Sequence, residues 1–195
     1  MILIWLLIIA LVVVFFWGIS VYNFFVSTKT RIKASVQEIG NQLKRQADLI
    51  PNLESSAKGY LKHEKGIFDK LAEARKSISK AIESQDLQKM ADAGSKVASL
   101  IPDIKVIMES NPEIKGSEVV TKLMDELRDT ADKIMYARRL VIDLTADYNV
   151  RRVAFPSSFV ATLFKFDELP GLLTPQGGEH VEVKEGDLKT PEINL

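Results

Sequence analysis

The sequence predicts an all-α protein: an N-terminal transmembrane helix continuing into an up-and-down four-helix bundle with long helices. Three observations predict it. Residues 1–26 contain no Asp, Glu, Lys or Arg, and all 26 basic and 26 acidic side chains follow them. Beyond that leader, apolar residues recur every three or four positions, the period of an amphipathic helix. No run alternates with the period of two that a half-buried strand requires.

The leader comes first. From Ile2 to Trp17 every residue is apolar, and only Gly18, Ser20, Tyr22 and Asn23 interrupt before Val26. A helix crossing a hydrocarbon layer of about 30 Å needs about 20 such residues, each rising about 1.5 Å. As a helix it leaves no backbone group unpaired in lipid. Residues 1–26 therefore read as an anchor, with membrane lipid the partner of residues 2–26. A cleaved signal peptide is the rival reading. That would carry a basic start, a shorter apolar core and a small-residue cleavage site, whereas here Ser20-Val21-Tyr22-Asn23-Phe24-Phe25 follows a long run. Attachment through a lipidated cysteine is excluded because the chain has no Cys. Trp17 and Tyr22 suit a membrane–water boundary. Lys29, Arg31, Lys33, Lys44 and Arg45 follow the leader, with Glu38 the only acid before Asp48. The positive-inside rule then places the N-terminus outside and the large C-terminal part in the cytoplasm, at the cell's inner (plasma) membrane.

The body begins with the stripe Ile32, Val36, Ile39, Leu43, Ala47 and Ile50. No proline separates it from the leader, so the two are expected to form one helix. Pro51 is expected to kink or restart that helix, because proline removes a hydrogen bond and clashes with the preceding turn. A second helix is read from about Pro51 to Glu83, carrying Leu53, Ala57, Leu71, Ala74 and Ile78, and Ser84-Gln85-Asp86 is a turn. A third, to Ser110, carries Leu87, Met90, Val97, Ile101, Ile104 and Ile107, with a kink expected at Pro102. Asn111-Pro112 and Gly116-Ser117 are punctuation. Ser117 is placed to cap the fourth and most regular helix. Its stripe is Val120, Leu123, Leu127, Thr130, Ile134, Ala137, Val141, Leu144 and Tyr148. A second stripe on that helix, Met124, Ala131, Met135, Arg138 and Ile142, predicts either a wide core or a subunit contact.

Phe155-Pro156 stops the fourth helix, since the residue before proline avoids the helical region. Ser157 is placed to cap a short helix from Phe159 to Phe166. Two readings of Phe159, Val160, Leu163, Phe164 and Phe166 stand side by side: contact with lipid or a partner, or folding back over one end of the bundle. From Asp167 onward Pro, Gly and acidic residues replace the period, predicting a flexible tail. The organisation is thus 1–26 anchor, 27–166 bundle and 167–195 acidic tail, whose last residues, 191–195, form either a docking peptide or a plain terminus. The bundle carries a net charge of +5 and the tail −5, within an overall formal charge of zero. A mildly basic body suits an anionic lipid surface. Nucleic acid is not expected as a partner, because no basic cluster is interleaved with aromatics.

One block is more specific than its period: Leu43-Lys44-Arg45-Gln46-Ala47-Asp48-Leu49-Ile50-Pro51-Asn52-Leu53, then Lys58-Gly59-Tyr60 and His63-Glu64. It resembles the LemA family. Tyr22-Asn23 after the leader, the pairs Ala74-Arg75 and Ala137-Arg138, and Tyr148-Asn149 with Phe155-Pro156 fit the same pattern. Gln46, Glu54, Val36, Gly40 and Ala131 depart from it, replacing Arg, Val, Trp, Asp and Glu respectively. The resemblance implies an N-out anchor and a cytoplasmic four-helix bundle. Relatives of this kind include a magnetosome membrane protein, which points towards membrane organisation.

Chemistry finds little foothold. A zinc protease motif needs His-Glu-x-x-His, but Ile67 stands where the second histidine would be, and the other histidine is His180. No nucleophile elbow, phosphate loop or dinucleotide fingerprint occurs. No catalytic residue, cofactor, metal or small-molecule substrate is therefore expected. A polar stripe of Gln42, Arg45, Asp48 and Asn52 is either a solvated face or part of a buried network with Arg75, Arg138, Tyr148 and Asn149. The expected function is non-enzymatic: a membrane scaffold or adaptor for protein partners or for further copies of itself. The alternatives are an accessory subunit of a membrane protease or stress-response complex, and a membrane-shaping protein.

Overall fold

No proline precedes Pro51, so nothing in the first fifty residues obliges a helix to stop. The computed structural model describes residues 1–58, 65–111 and 116–173. In it α1 is one helix of 56 residues, Ile2–Ala57, about 84 Å long. It passes through Pro51, so the helix restart expected there is corrected. Leu49 and Ile50 are buried on one side of the proline and Leu53 and Ala57 on the other. At roughly 1.5–3 kcal/mol for each large side chain, their burial outweighs a proline cost of about 3 kcal/mol. Asn52 Nδ2 also donates to the Asp48 carbonyl (3.2 Å) in the turn the proline loosens.

The second helix accordingly starts later than expected, as α2, Lys65–Ser84. Gln85 turns the chain with φ 52°. Asp86 then caps α3, Leu87–Ser110, by accepting from the Lys89 amide at 3.0 Å. α3 likewise continues through Pro102. α4 runs Glu118–Val153. Ser117 holds its cap position without a side-chain cap bond. α5 is Ser157–Leu163, two residues earlier at its start than expected. No strand occurs among the described residues. Gly59, Tyr60, His63 and Glu64 of the family block, and the tail from residue 174, lie outside the described residues.

The helices pack in a ring, α1 on α2, α2 on α3, α3 on α4 and α4 back on α1, with the α1–α4 interface the most extensive. Ile39, Leu43, Ile50, Leu71, Ile78, Val97, Leu127 and Val141 fill the centre. α3 also reaches α1 across the diagonal. Gly94 lets α3 come close to α4: a Cβ there would lie 2.8 Å from Ile134 Cγ2, whereas Leu43 Cδ2 of α1 is at an ordinary contact distance of 3.7 Å. The second stripe of α4 divides. Met124 and Ala131 join the core, whereas Met135 is exposed, so the stripe widens the core at one end.

α4 has 36 residues and α3 only 24. The α2–α3 turn therefore stops short of the leader. Met90, just past that turn, already lies against Gly40. Below that level α1 and α4 continue as a pair towards the leader, and α5 closes against both. The segment 167–173, expected to be flexible, is instead tied to the body by hydrogen bonds from Asn149 and Gln88.

Candidate functional site

The lower end of the α1–α4 pair carries a second apolar cluster, separate from the main core: Val21, Phe25, Tyr148, Val160 and Ala161, flanked by Phe24, Phe166 and Leu169. Its centre is Phe25, which is fully buried. The ring of Phe25 stacks on Phe166 at 4.7 Å and meets Tyr148 edge-on at 5.2 Å. Tyr22 meets Phe164 at 4.8 Å and Phe166 at 5.6 Å. Each such pair adds about 0.5–1.5 kcal/mol beyond the area it buries. The Arg151 guanidinium lies over the Phe24 ring at 4.2 Å.

Local chemistry closes this root. Pro156 ends α4's run, and the Ser157 hydroxyl donates back to the Arg151 carbonyl at 2.7 Å, with the Ala154 carbonyl at 3.0 Å. These are carbonyls that a helix end leaves unpaired. α5 then ends in a Schellman turn. Lys165 adopts φ 55°, its amide donates to the Thr162 carbonyl (3.2 Å), and the Phe166 amide donates to the Ala161 carbonyl (2.9 Å). That geometry satisfies the last carbonyls and throws Phe166 back onto Phe25. Asn149 holds the segment beyond α5: its Nδ2 donates to the Leu169 carbonyl (2.8 Å) and its Oδ1 accepts from the Leu169 amide (3.1 Å). Gln88 repeats the device on Leu173, at 3.3 and 2.9 Å. Arg152 pairs with Glu168 at 2.7 Å. Residues 167–173 are thus a strap running from the root to the start of α3.

The polar residues singled out in the sequence do not form one network. Arg45 reaches Glu126 (3.3 Å) and Asp129 (3.9 Å) on α4, at the surface. Gln42 Nε2 donates to Glu38 at 2.7 Å within its own helix. Asp48 and Asn52 are exposed, and among the described residues the Asp48 carboxylate has no ion pair. Arg75 is exposed on α2. Arg138 donates to Ser95 Oγ at 3.0 Å across the α3–α4 seam. Tyr148 and Asn149 belong to the root. The reason is register. α1 and α4 are antiparallel with Phe25 opposite Tyr148, so Arg45, twenty residues up α1, stands about 30 Å from Tyr148.

Of the residues proposed to touch lipid, the structure turns Val160 and Phe166 inward and leaves Phe159, Leu163 and Phe164 outward. Sequence reasoning missed Gln46, whose side chain is fully buried with neither Oε1 nor Nε2 bonded among the described residues. The signal was phase: Ile39, Leu43, Gln46, Ile50 and Leu53 keep a strict four–three alternation, whereas Ala47 does not. It also missed Phe25, Gln88 and the Leu169 backbone.

Electrostatically the surfaces are quiet. Burial, and then the nearby Asp167 charge, push the Tyr148 phenol above its ordinary 10.0, with Arg152 opposing. Asp129 is held below its ordinary 3.8, first by the Lys133 hydrogen bond, against desolvation, and then by the charges of Lys133 and Arg45. Among the described residues no group of three or more His, Cys, Asp or Glu side chains is placed to hold a metal ion. Two open grooves mark the surface of the body. One, of 530 Å³, lies beside Trp17, Asp147, Arg151 and Phe155. The other, of 540 Å³, lies beside Pro51, Glu54, Phe68 and Asp69.

The LemA family model matches residues 35–184 of this sequence. The matched region covers most of the bundle, the α4 and α5 side of the root and the strap, and the chain belongs to the LemA family. No curated protein matches it.

Proposed function

We propose that this LemA-family chain is a non-enzymatic, single-pass membrane protein that holds a cytoplasmic helical body at a fixed stance, as a scaffold or adaptor for protein partners or further copies. One observation carries the reading: α1 is continuous from the uncharged leader into the centre of the bundle. The leader is long and apolar enough to cross a membrane, and an 18-residue stretch of it is nowhere buried against the body. Val21 and Phe25, at its end, are core residues of the root. A cleaved leader would have to be cut from within an intact helix whose next turns are already packed. The basic residues after the leader favour the N-out orientation.

Catalysis is not part of the proposal. The groove beside Glu54 and Asp69 also contains Ser55, whose hydroxyl donates to the Asn52 carbonyl at 3.0 Å. The groove beside Arg151 offers a single basic group already seated on an aromatic ring. Neither presents a nucleophile held by a base.

Cross-linking in intact membranes, followed by solubilisation in a gentle detergent and sizing, tests the scaffold role. The expected product is an assembly of fixed stoichiometry containing further copies or another protein. A monomer at every cross-linker length would overturn it. A co-purifying protease at fixed stoichiometry would turn the reading into that of an accessory subunit.

A further inference from the structure

α5 is an odd element to find in a cytoplasmic body. The twelve residues from Val153 to Phe164 contain no charge, and Arg151, Arg152 and Lys165 flank them. Within this segment Val160 and Ala161 make the root, but Phe155 is 80% exposed, Phe159 70%, Leu163 74% and Phe164 52%. Ridges of aromatic residues this exposed mark a contact surface.

The position of α5 indicates what they contact. It packs against the part of α1 that still belongs to the uncharged leader. Val14, Gly18 and Ile19 of α1 face Val160, Leu163 and Phe164 of α5 across an apolar groove of 340 Å³. An anchor starting near Ile2 leaves a hydrocarbon layer of about 30 Å near residue 21 or 22. The groove residues on α1 therefore sit above that boundary, on the lipid side, by up to about 12 Å. The backbone of the segment suits such a place, because polar backbone groups in lipid must be bonded internally. Ser158 donates to the Ala154 carbonyl, Phe159 to Pro156, Phe164 to Val160, Lys165 to Thr162 and Phe166 to Ala161. Basic residues at both ends can reach anionic headgroups while the apolar middle stays in the acyl layer.

We infer that α5 is a wedge embedded in the same leaflet by which α1 leaves the membrane, with the outward face of Phe155, Phe159 and Leu163 covered by lipid acyl chains. The inference rests on the anchor reading of the leader. The lack of Cys makes single-cysteine labelling direct. Nitroxides are placed by Val12→Cys, Phe159→Cys, Leu163→Cys and Tyr136→Cys in the full-length chain, in phosphatidylcholine–phosphatidylglycerol nanodiscs. All four positions are exposed, and helical content checks that the fold is kept. At 159 and 163, as at 12, collisions with oxygen should exceed those with a water-soluble nickel complex, and the order should reverse at 136. Nickel access at 159 and 163 with position 12 in lipid overturns the inference and leaves the anchor standing. Shielding of 159 and 163 from both reagents means a protein covers the face and also overturns it. Nickel access at 12 overturns the anchor reading and the wedge with it.

Discussion

The bundle centre and the root are built from different residues for different surroundings. The centre is aliphatic, with Leu43, Ile50, Leu71, Ile78, Leu127 and Val141 buried from all sides by the four long helices. The root is aromatic, two helices wide, and closed by α5 and the Asn149 clamp on Leu169. The centre hides nearly all of its large apolar side chains, whereas the root leaves Phe155, Phe159 and Leu163 outside. On the reading proposed above, the centre lies in water and the outward face of the root lies against lipid.

The comparison can be broken first at Phe25. Phe25→Ala removes a fully buried ring stacked on Phe166 and is expected to cost about 3–5 kcal/mol at the root. Hydrogen exchange should rise in α5 and residues 167–173 while α2 and α3 stay protected. If the whole bundle melts with it, the two regions are one cooperative unit. Next is Gln46, the buried amide at the centre. Gln46→Leu should stabilise the bundle by about 1–3 kcal/mol in urea unfolding, because it removes polar atoms that have no partner among the described residues. A loss of stability would show that the amide is bonded after all.

Asn149→Ala is expected to cost about 1–3 kcal/mol, from two hydrogen bonds at roughly 0.5–1.5 kcal/mol each. It should release the strap to hydrogen exchange without lowering the midpoint of the centre. Tyr148 sharpens the contrast by pH. Its phenol is pushed above 10.0 in the folded protein. The stability this contributes is complete below that value and is lost as pH rises through the folded pKa. The root should loosen in strong alkali in the natural chain and not in Tyr148→Phe. The smallest effect is expected at Arg45. Arg45→Ala removes exposed pairs to Glu126 and Asp129 and should cost under about 1 kcal/mol.

The fold was legible because its signals are periodic. The stripe of α4, from Val120 to Tyr148, is buried almost as read, and the uncharged leader announces itself by composition. Pro51 misled because a local rule met a tertiary one, and burial on both sides of the proline won. The polar residues were harder, because a shared helical face says nothing of register. Arg45 and Tyr148 lie on facing helices yet far apart along them. The strap was illegible for a related reason. Leu169 and Leu173 are held through their backbone by Asn149 and Gln88, and backbone donors and acceptors leave no mark in a sequence.

The central claim is that one rigid helix joins the bilayer to the body. Nitroxides introduced by Val12→Cys and Asn41→Cys in the full-length chain, in nanodiscs, measure it by pulsed dipolar spectroscopy. A single narrow distance near 43 Å, about 1.5 Å for each intervening residue, is the expected result. A broad or much shorter distribution, or mature protein recovered without the label at position 12, would contradict it.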